Sequence, residues 1–208
     1  MSAITVVKLG GSLCRDAGDG ALLRWLADLA ARAALDADRR WVIVPGGGEF
    51  ADTVRAAQAD WGFDDVTAHN MALLAMEQTA RLMVGLPAAS TAMSAALALT
   101  PATDIDAIRA AWAAGLLPVW GARDALRSAP DALTRWDVTS DSLAAWLAGR
   151  LGADRLVLVK HGLAGKSAAP AAEAEVLAQG FAAAGIVDAA LPAMVAAAGV
   201  ALALWPAR

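Results

Sequence analysis

Ile4-Thr5-Val6-Val7-Lys8-Leu9-Gly10-Gly11-Ser12-Leu13 is the stretch on which the fold turns. Its first half is an apolar, β-branched run, and two glycines end it, which is the pattern of a short buried strand. A lysine stands at the end of that strand. Glycines let backbone N–H groups approach an anion closely, and an ammonium adds a point charge beside them. Working outward, Trp41-Val42-Ile43-Val44 repeats the pattern and is stopped by Pro45-Gly46-Gly47-Gly48. Between the two strands, Gly20 to Leu35 carries apolar residues at helical spacing, with Asp19 as a candidate N-cap. Strand, helix, strand with no alternation in the strands means a parallel-rich sheet covered on both faces.

The rest of the chain continues the alternation. Glu49 to Trp61 and Val66 to Val84 read as helices, the second capped by Asp64 or Asp65. Ser90 to Leu99 fits helix or strand. Asp104 to Ala114 reads as a helix ending at Gly115, and Leu116 to Trp120 as a short strand. Thr139 to Leu151 is a helix closed by Gly152, Arg155 to Lys160 a buried strand, Asp188 to Ala198 a helix and Val200 to Trp205 a last strand. His161 to Glu175 is rich in small residues and reads as a loop. The expected architecture is α/β, a three-layer αβα sandwich on a mainly parallel sheet, with residues 1–208 forming one domain.

Composition excludes several classes. At 58% hydrophobic and 18% charged residues, the 208-residue chain is too apolar for disorder. The formal net charge of −4 and the lack of any basic run argue against nucleic acid as a partner. The single cysteine, Cys14, permits no internal disulfide and points to a reducing compartment. No basic segment precedes an apolar one near Met1, so no secretory leader is expected. Ile186 to Trp205 is the most apolar long stretch, but Asp188 and Pro192 break it, so no membrane span is expected. The expected location is the cytoplasm.

Of 17 lysines and arginines only Lys8, Lys160 and Lys166 are lysines, each at or just after the end of an expected strand. A chain that uses arginine as its general surface cation places lysine where a compact ammonium matters. Pro45-Gly46-Gly47-Gly48-Glu49 opens a helix, where free N–H groups and the helix dipole suit a phosphate or carboxylate. Gly46-x-Gly48-x-x-Ala51 also meets the relaxed dinucleotide pattern. It falls on the second strand, however, and the acids about 20 residues on, Asp64 and Asp65, sit at a helix start. Gly165-Lys166-Ser167 resembles the end of a P-loop, yet Lys160 stands where that motif needs its first glycine. Trp136-Asp137-Val138-Thr139-Ser140-Asp141 brings two acids and two hydroxyls to one helix start, more than a cap needs. His69, His161 and Cys14 form no metal-spaced set, and no metal-ligating residue is assigned.

In this order the segments resemble the amino acid kinase superfamily, which includes acetylglutamate, aspartate, glutamate 5- and uridylate kinases. Lys8-Leu9-Gly10-Gly11-Ser12 resembles its N-terminal phosphate loop and Val44-Pro45-Gly46-Gly47-Gly48 its acceptor-side glycine loop. Thr139-Ser140-Asp141-Ser142-Leu143, with Ala153 to Val159, resembles its helix-then-strand block. A narrower likeness joins His69-Asn70-Met71-Ala72, Ala75-Met76-Glu77-Gln78 and Trp136 to Asp141 to the kinase of methanofuran biosynthesis, which converts an aminomethylfuran-methyl phosphate to its diphosphate. The chain departs from the superfamily after Val159. Lys160-His161-Gly162-Leu163 stands where Thr-Asp and an acidic-Gly turn are usual, so the usual nucleotide contacts do not carry over there.

The resemblance implies an ATP-dependent phosphotransferase with Mg²⁺ bridging donor phosphates. Lys8 and Lys166 would face the transferring group from opposite sides, with Asp141 orienting both. Gly10, Gly11, Ser12, Lys160, Gly162 and Gly165 would hold the nucleotide. Gly46, Gly47 and Gly48, with His69, Asp137, Thr139 and Ser140, would hold the acceptor. That acceptor is expected to be a small phosphate monoester, a furan or pterin cofactor precursor. A kinase of a carboxylate acceptor and a non-catalytic ligand-binding or regulatory protein on the same fold remain alternatives. The apolar residues around Val66 to Val84 (Met71, Leu73, Leu74, Met76, Leu82 and Met83) predict burial on more than one side, hence a homo-oligomer.

Overall fold

The computed structural model describes residues 2–14, 20–36, 38–86 and 98–207. Seven strands form one sheet: β1 (Ala3–Leu9), β2 (Arg39–Pro45), β3 (Leu99–Ala102), β4 (Leu117–Trp120), β5 (Arg155–Lys160), β6 (Ser167–Ala169) and β7 (Ala201–Pro206). Their order across the sheet is β3-β4-β2-β1-β5-β7-β6. Every pairing is parallel except that of β6 with β7. The helices are α1 (Ala21–Leu35), α2 (Gly48–Trp61), α3 (Asp65–Gly85), α4 (Ile105–Ala113), α5 (Ser140–Leu151), α6 (Ala171–Ala183) and α7 (Leu191–Ala198).

Period-2 geometry sends alternate strand residues to opposite faces. Val6, Val42, Val44, Leu156, Leu158, Leu202 and Leu204 pack on one face with Leu143 and Leu147 of α5 and Leu191 and Val195 of α7. Val7, Leu9, Ile43, Val157 and Val159 pack on the other with Leu22, Leu26 and Leu29 of α1 and Ala80 and Met83 of α3. Both faces are therefore dry, which is why the strands read as continuous apolar runs. The expected three-layer α/β sandwich is the architecture observed.

Several local expectations change. Gly20, at φ 65°, caps α1, and Asp19 lies outside the described residues, as do positions 90–97 of the ambiguous Ser90 to Leu99 stretch. Its last residue, Leu99, begins β3, which sequence reading missed. His161 to Glu175 is not all loop: it contains β6 and the start of α6. Short, alanine-rich segments leave almost no periodic signal. Asp64 is the cap of α3, accepting from the Thr67 N–H at 2.7 Å. On α3, Leu73, Met76 and Met83 are buried within the chain's own core, and only Leu74 and Leu82 stay exposed.

Candidate active site

β1 and β5 are neighbours, with Lys8 opposite Leu158 and Leu9 opposite Val159. Their C-terminal ends therefore deliver Lys8 and Lys160 to the same edge of the sheet. α5 begins over that edge. Thr139, in extended conformation, accepts from the Asp141 N–H at 3.4 Å, and Asp141 occupies the first helical turn, 1% exposed. The Lys8 ammonium lies 2.7 Å from Asp141 Oδ1, and Lys160 Nζ donates to Oδ2. Two ammonium groups thus share one carboxylate and leave a local charge of +1 out of bulk water.

Burial pushes the Asp141 carboxyl up, but the charges of Lys8 and Lys160 outweigh it and hold the group below the ordinary carboxylate range. Lys160 is held below the ordinary lysine value, first by burial and then by repulsion from Lys8, against the pull of Asp141. The pairing itself, two ammonium groups to one carboxylate, holds more positive charge than Asp141 balances. An anion bound there supplies the missing counter-charge.

The two glycine loops meet above Lys8. The Gly46 N–H donates to the Leu9 carbonyl at 2.8 Å. A Cβ on Gly46 would lie 2.4 Å from the Gly11 nitrogen, and one on Gly11 would lie 2.7 Å from the Gly48 nitrogen. The glycines are required because the two loops pack backbone against backbone. This corrects the expectation that all three acceptor-loop N–H groups face a ligand, since that of Gly46 is already spent. α2 starts at Gly48, φ 55°, and no side chain caps it. The free N–H groups of its first turn carry the positive end of the helix dipole.

A cavity of about 70 Å³ runs from Gly47 between α2, α3 and the segment leading into α5. Ala51, Ala72, Leu73, Met76, Val138 and Leu143 give it apolar walls, and Arg55, Asp65, Arg135 and Trp136 stand at its outer end. Past Asp65, Thr134 and Arg135 it opens on a wider polar groove beside Asn70 and Arg127.

The sequence profile described as the amino acid kinase family matches residues 3–161. The chain belongs to the amino acid kinase family. It is a kinase by that membership. Among solved structures it is similar to uridylate kinase from Archaeoglobus fulgidus, at 14% identity and TM-score 0.62, covering 97% of this chain and 90% of that one. It is similar to UMP kinase from Ureaplasma parvum, at 17% identity and TM-score 0.61, over 99% of this chain and 90% of that one. It also resembles aspartate kinase from Synechocystis, at 17% identity and TM-score 0.61, over 99% of this chain but 38% of that one. At these identities the likeness is one of fold. No curated protein sequence matches the chain.

The residues that sequence reading singled out lie in different places in this kinase. Asp141 pairs with Lys8 and Lys160, not with Lys166. The Lys166 ammonium lies 5.0 Å from the centre of the Trp205 ring, which itself stacks on Trp25. Strand register explains the exchange: Lys160 closes β5 beside β1, whereas Lys166 enters β6 at the far edge of the sheet. Gly162, at φ 78°, and Gly165 have open space where a Cβ would stand, and Ser12 is exposed in the turn after β1. His69 is buried, and its Nε2 lies 3.1 Å from the Ala125 carbonyl, to which it donates. Burial keeps its pKa below the ordinary histidine value, so the ring is neutral. Asp137 is held by both arms of the Arg135 guanidinium, at 2.9 and 2.5 Å, and does not line the cavity. Thr139 and Ser140 do line it.

Sequence reading missed Asp188, which the structure makes the hub of this region. Its carboxylate accepts from the Thr139 N–H at 2.9 Å, the Thr139 hydroxyl at 2.7 Å, the Ser142 N–H at 3.1 Å, the Leu191 N–H at 2.9 Å and the Ser142 hydroxyl. It thereby pins the start of α5, and with it Asp141. Its one sequence signal, an acid shortly before a helix, is shared by many plain caps. Glu77 was also missed as a site element. Only 6% exposed, it receives Arg123 at 2.6 and 3.1 Å and Arg81 at 2.7 Å, and so ties α3 to the end of β4.

Proposed function

We propose that this kinase transfers the terminal phosphoryl group of ATP to a small phosphate monoester and forms a diphosphate, as in the synthesis of a furan or pterin cofactor. One observation carries the reading: a buried and a partly buried ammonium group share a single carboxylate beside an uncapped helix N-terminus that opens a narrow cavity. Phosphoryl transfer needs positioning and charge neutralisation more than covalent chemistry. A non-bridging oxygen of the acceptor phosphate attacks the γ-phosphorus. The bond from that phosphorus to the β,γ-bridging oxygen breaks, and ADP leaves with the electron pair. Lys8 and Lys160 neutralise the charge that spreads over the transferring group, and the first turn of α2 holds the acceptor's phosphate.

An already ionised phosphate needs no general base. Among the described residues no three His, Cys, Asp or Glu side chains converge as a metal cage. Mg²⁺, entering with ATP, would supply further neutralisation of the transferring group beside Lys8 and Lys160. Phosphorus NMR of the kinase with MgATP and aminomethylfuran-methyl phosphate should show a new pair of diphosphate doublets. Transfer to an N-acyl amino acid carboxylate instead would overturn the reading.

The catalytic unit in this reading is one domain that assembles into a homo-oligomer. Leu74 and Leu82 of α3 are 44% and 40% exposed and lie two turns apart on the helix. A second copy packed on that helix would cover both. Light scattering at micromolar concentration should give at least twice the chain mass of 21.2 kDa, and a clean monomer mass would refute the assembly. Among the described residues no helix is long and apolar enough to cross a membrane.

A further inference from the structure

Asp188 does more than close a helix. A plain N-cap satisfies one orphan N–H, whereas this carboxylate, with about four lone-pair sites, accepts from five donors. Oδ2 takes the Thr139 N–H, the Thr139 hydroxyl and the Ser142 N–H. Oδ1 takes the Ser142 hydroxyl and the Leu191 N–H. The starts of α5 and α7 are therefore tied to one group. A second link joins the same two segments, from the Ala190 N–H to the Asp137 carbonyl at 3.3 Å.

The residues ordered in this way face two different ligands. Thr139 and Ser140 line the cavity assigned to the acceptor, and Asp188 is not part of its wall. Asp141, the next residue along, holds both ammonium groups. Thr139 joins the two halves: its hydroxyl donates to Asp188 at 2.7 Å and accepts from the Asp141 N–H at 3.4 Å. The charge of Asp188 also reaches the ammonium pair. Burial and then Lys8 of β1 disfavour the protonated form of Lys160, while Asp141 of α5 and, more weakly, Asp188 favour it. One carboxylate outside the cavity thus bears on the acceptor wall and on the charges that meet the transferring group.

We propose that Asp188 is a positioning residue for the transfer: through the first turn of α5 it fixes the acceptor wall and the lysine-holding carboxylate relative to each other, and it adds a second negative charge behind the Lys8 and Lys160 pair. This rests on the reading of those lysines as the groups that neutralise the transferring phosphoryl, and it adds what sets them in register with the acceptor. Misplacement of reacting groups by about 1 Å can cost roughly 100-fold in rate, so the tie is worth its five bonds.

The test needs one variant that loses the charge and one that keeps it. The chain has three lysines, so lysine labelled with carbon-13 at Cε gives three NMR signals, and Lys160→Met identifies that of Lys160. Asp188→Asn keeps the shape but loses the charge and one acceptor oxygen. It should lower the Lys160 titration midpoint relative to wild type. With MgATP and aminomethylfuran-methyl phosphate it should also cut kcat/KM about 10-fold or more and raise the acceptor KM. Ser142→Ala removes a single hydroxyl and keeps the charge, so it should leave the Lys160 midpoint in place and cost less than about 10-fold in kcat/KM. A carboxylate that merely staples two helices would lower the urea midpoint in Asp188→Asn and leave Lys160 and the kinetics of the folded variant unmoved. An unchanged Lys160 midpoint in Asp188→Asn overturns the proposal, and so does a kcat/KM within about 3-fold of wild type. The titration requires no acceptor: if wild type forms no diphosphate from the monoester, the phosphate-monoester reading fails and the Lys160 midpoint alone decides the role of Asp188.

Discussion

Asp141→Ala should remove essentially all turnover and lower the unfolding free energy by about 3–5 kcal/mol, the cost of leaving a buried charge without its partner. Lys8 is 4% exposed and has Asp141 at 2.7 Å, so its ammonium loses both water and counter-charge at once. Against a typical total of about 5–15 kcal/mol, that loss endangers folding itself. A second variant separates stability from chemistry. Combining Lys8→Met and Lys160→Met with Asp141→Leu replaces the whole charged triad by apolar groups and should recover most of the stability in urea melts, because isosteric apolar replacement of a buried ionic cluster is often neutral. It should recover no activity. The pH dependence follows from the sign of the Asp141 shift. A carboxyl held below its ordinary value stabilises the fold above about pH 3.9, and that contribution is lost as pH falls through the lower folded value. Turnover within 10-fold of wild type in Asp141→Ala would remove Asp141 from the centre of the mechanism.

What the sequence disclosed and what it hid have physical causes. Strands such as Val6 to Leu9 and Arg155 to Lys160 are buried on both faces, so a continuous apolar run is obligatory and legible. Helix ends with side-chain caps, Asp64 and Asp104 among them, announce themselves, since an oxygen must accept from an N–H two or three residues on. β3, β6 and α6 did not: they are short or alanine-rich, and neighbouring elements place them more than their own composition does. At the site, the glycines beside a lysine were legible, and the structure gives their cause: a Cβ there would stand 2.4 to 2.7 Å from an opposing backbone nitrogen. The choice between Lys160 and Lys166 was not. It depends on which strand lies next to β1, a matter of sheet order that local pattern leaves open. Asp188 was hidden for the same reason, as its partners lie 46 and 49 positions away.

The sharpest consequence of that sheet order concerns the two lysines. Lys160→Met should cut kcat at least about 100-fold, since it removes one of the two charges preorganised around the transferring group, a loss comparable with that of an oxyanion-hole donor. Lys166→Ala should leave kcat within about 3-fold, because its ammonium sits over Trp205 and away from Asp141. A pH series adds a signature that simple damage to the fold would not produce. Burial and Lys8 hold the Lys160 pKa of the free enzyme below its ordinary value, so kcat/KM should fall on the alkaline side with a midpoint under the usual lysine value of about 10.4. The linked effect on stability has the opposite sign. Between the lowered folded value and the ordinary one, the native chain binds fewer protons than the unfolded chain, so the Lys160 contribution to stability rises with pH. Wild type should therefore gain stability relative to Lys160→Met through the same alkaline interval in which it loses activity. Parallel loss of both, or an unchanged kcat in Lys160→Met with a large drop in Lys166→Ala, would return the catalytic role to Lys166.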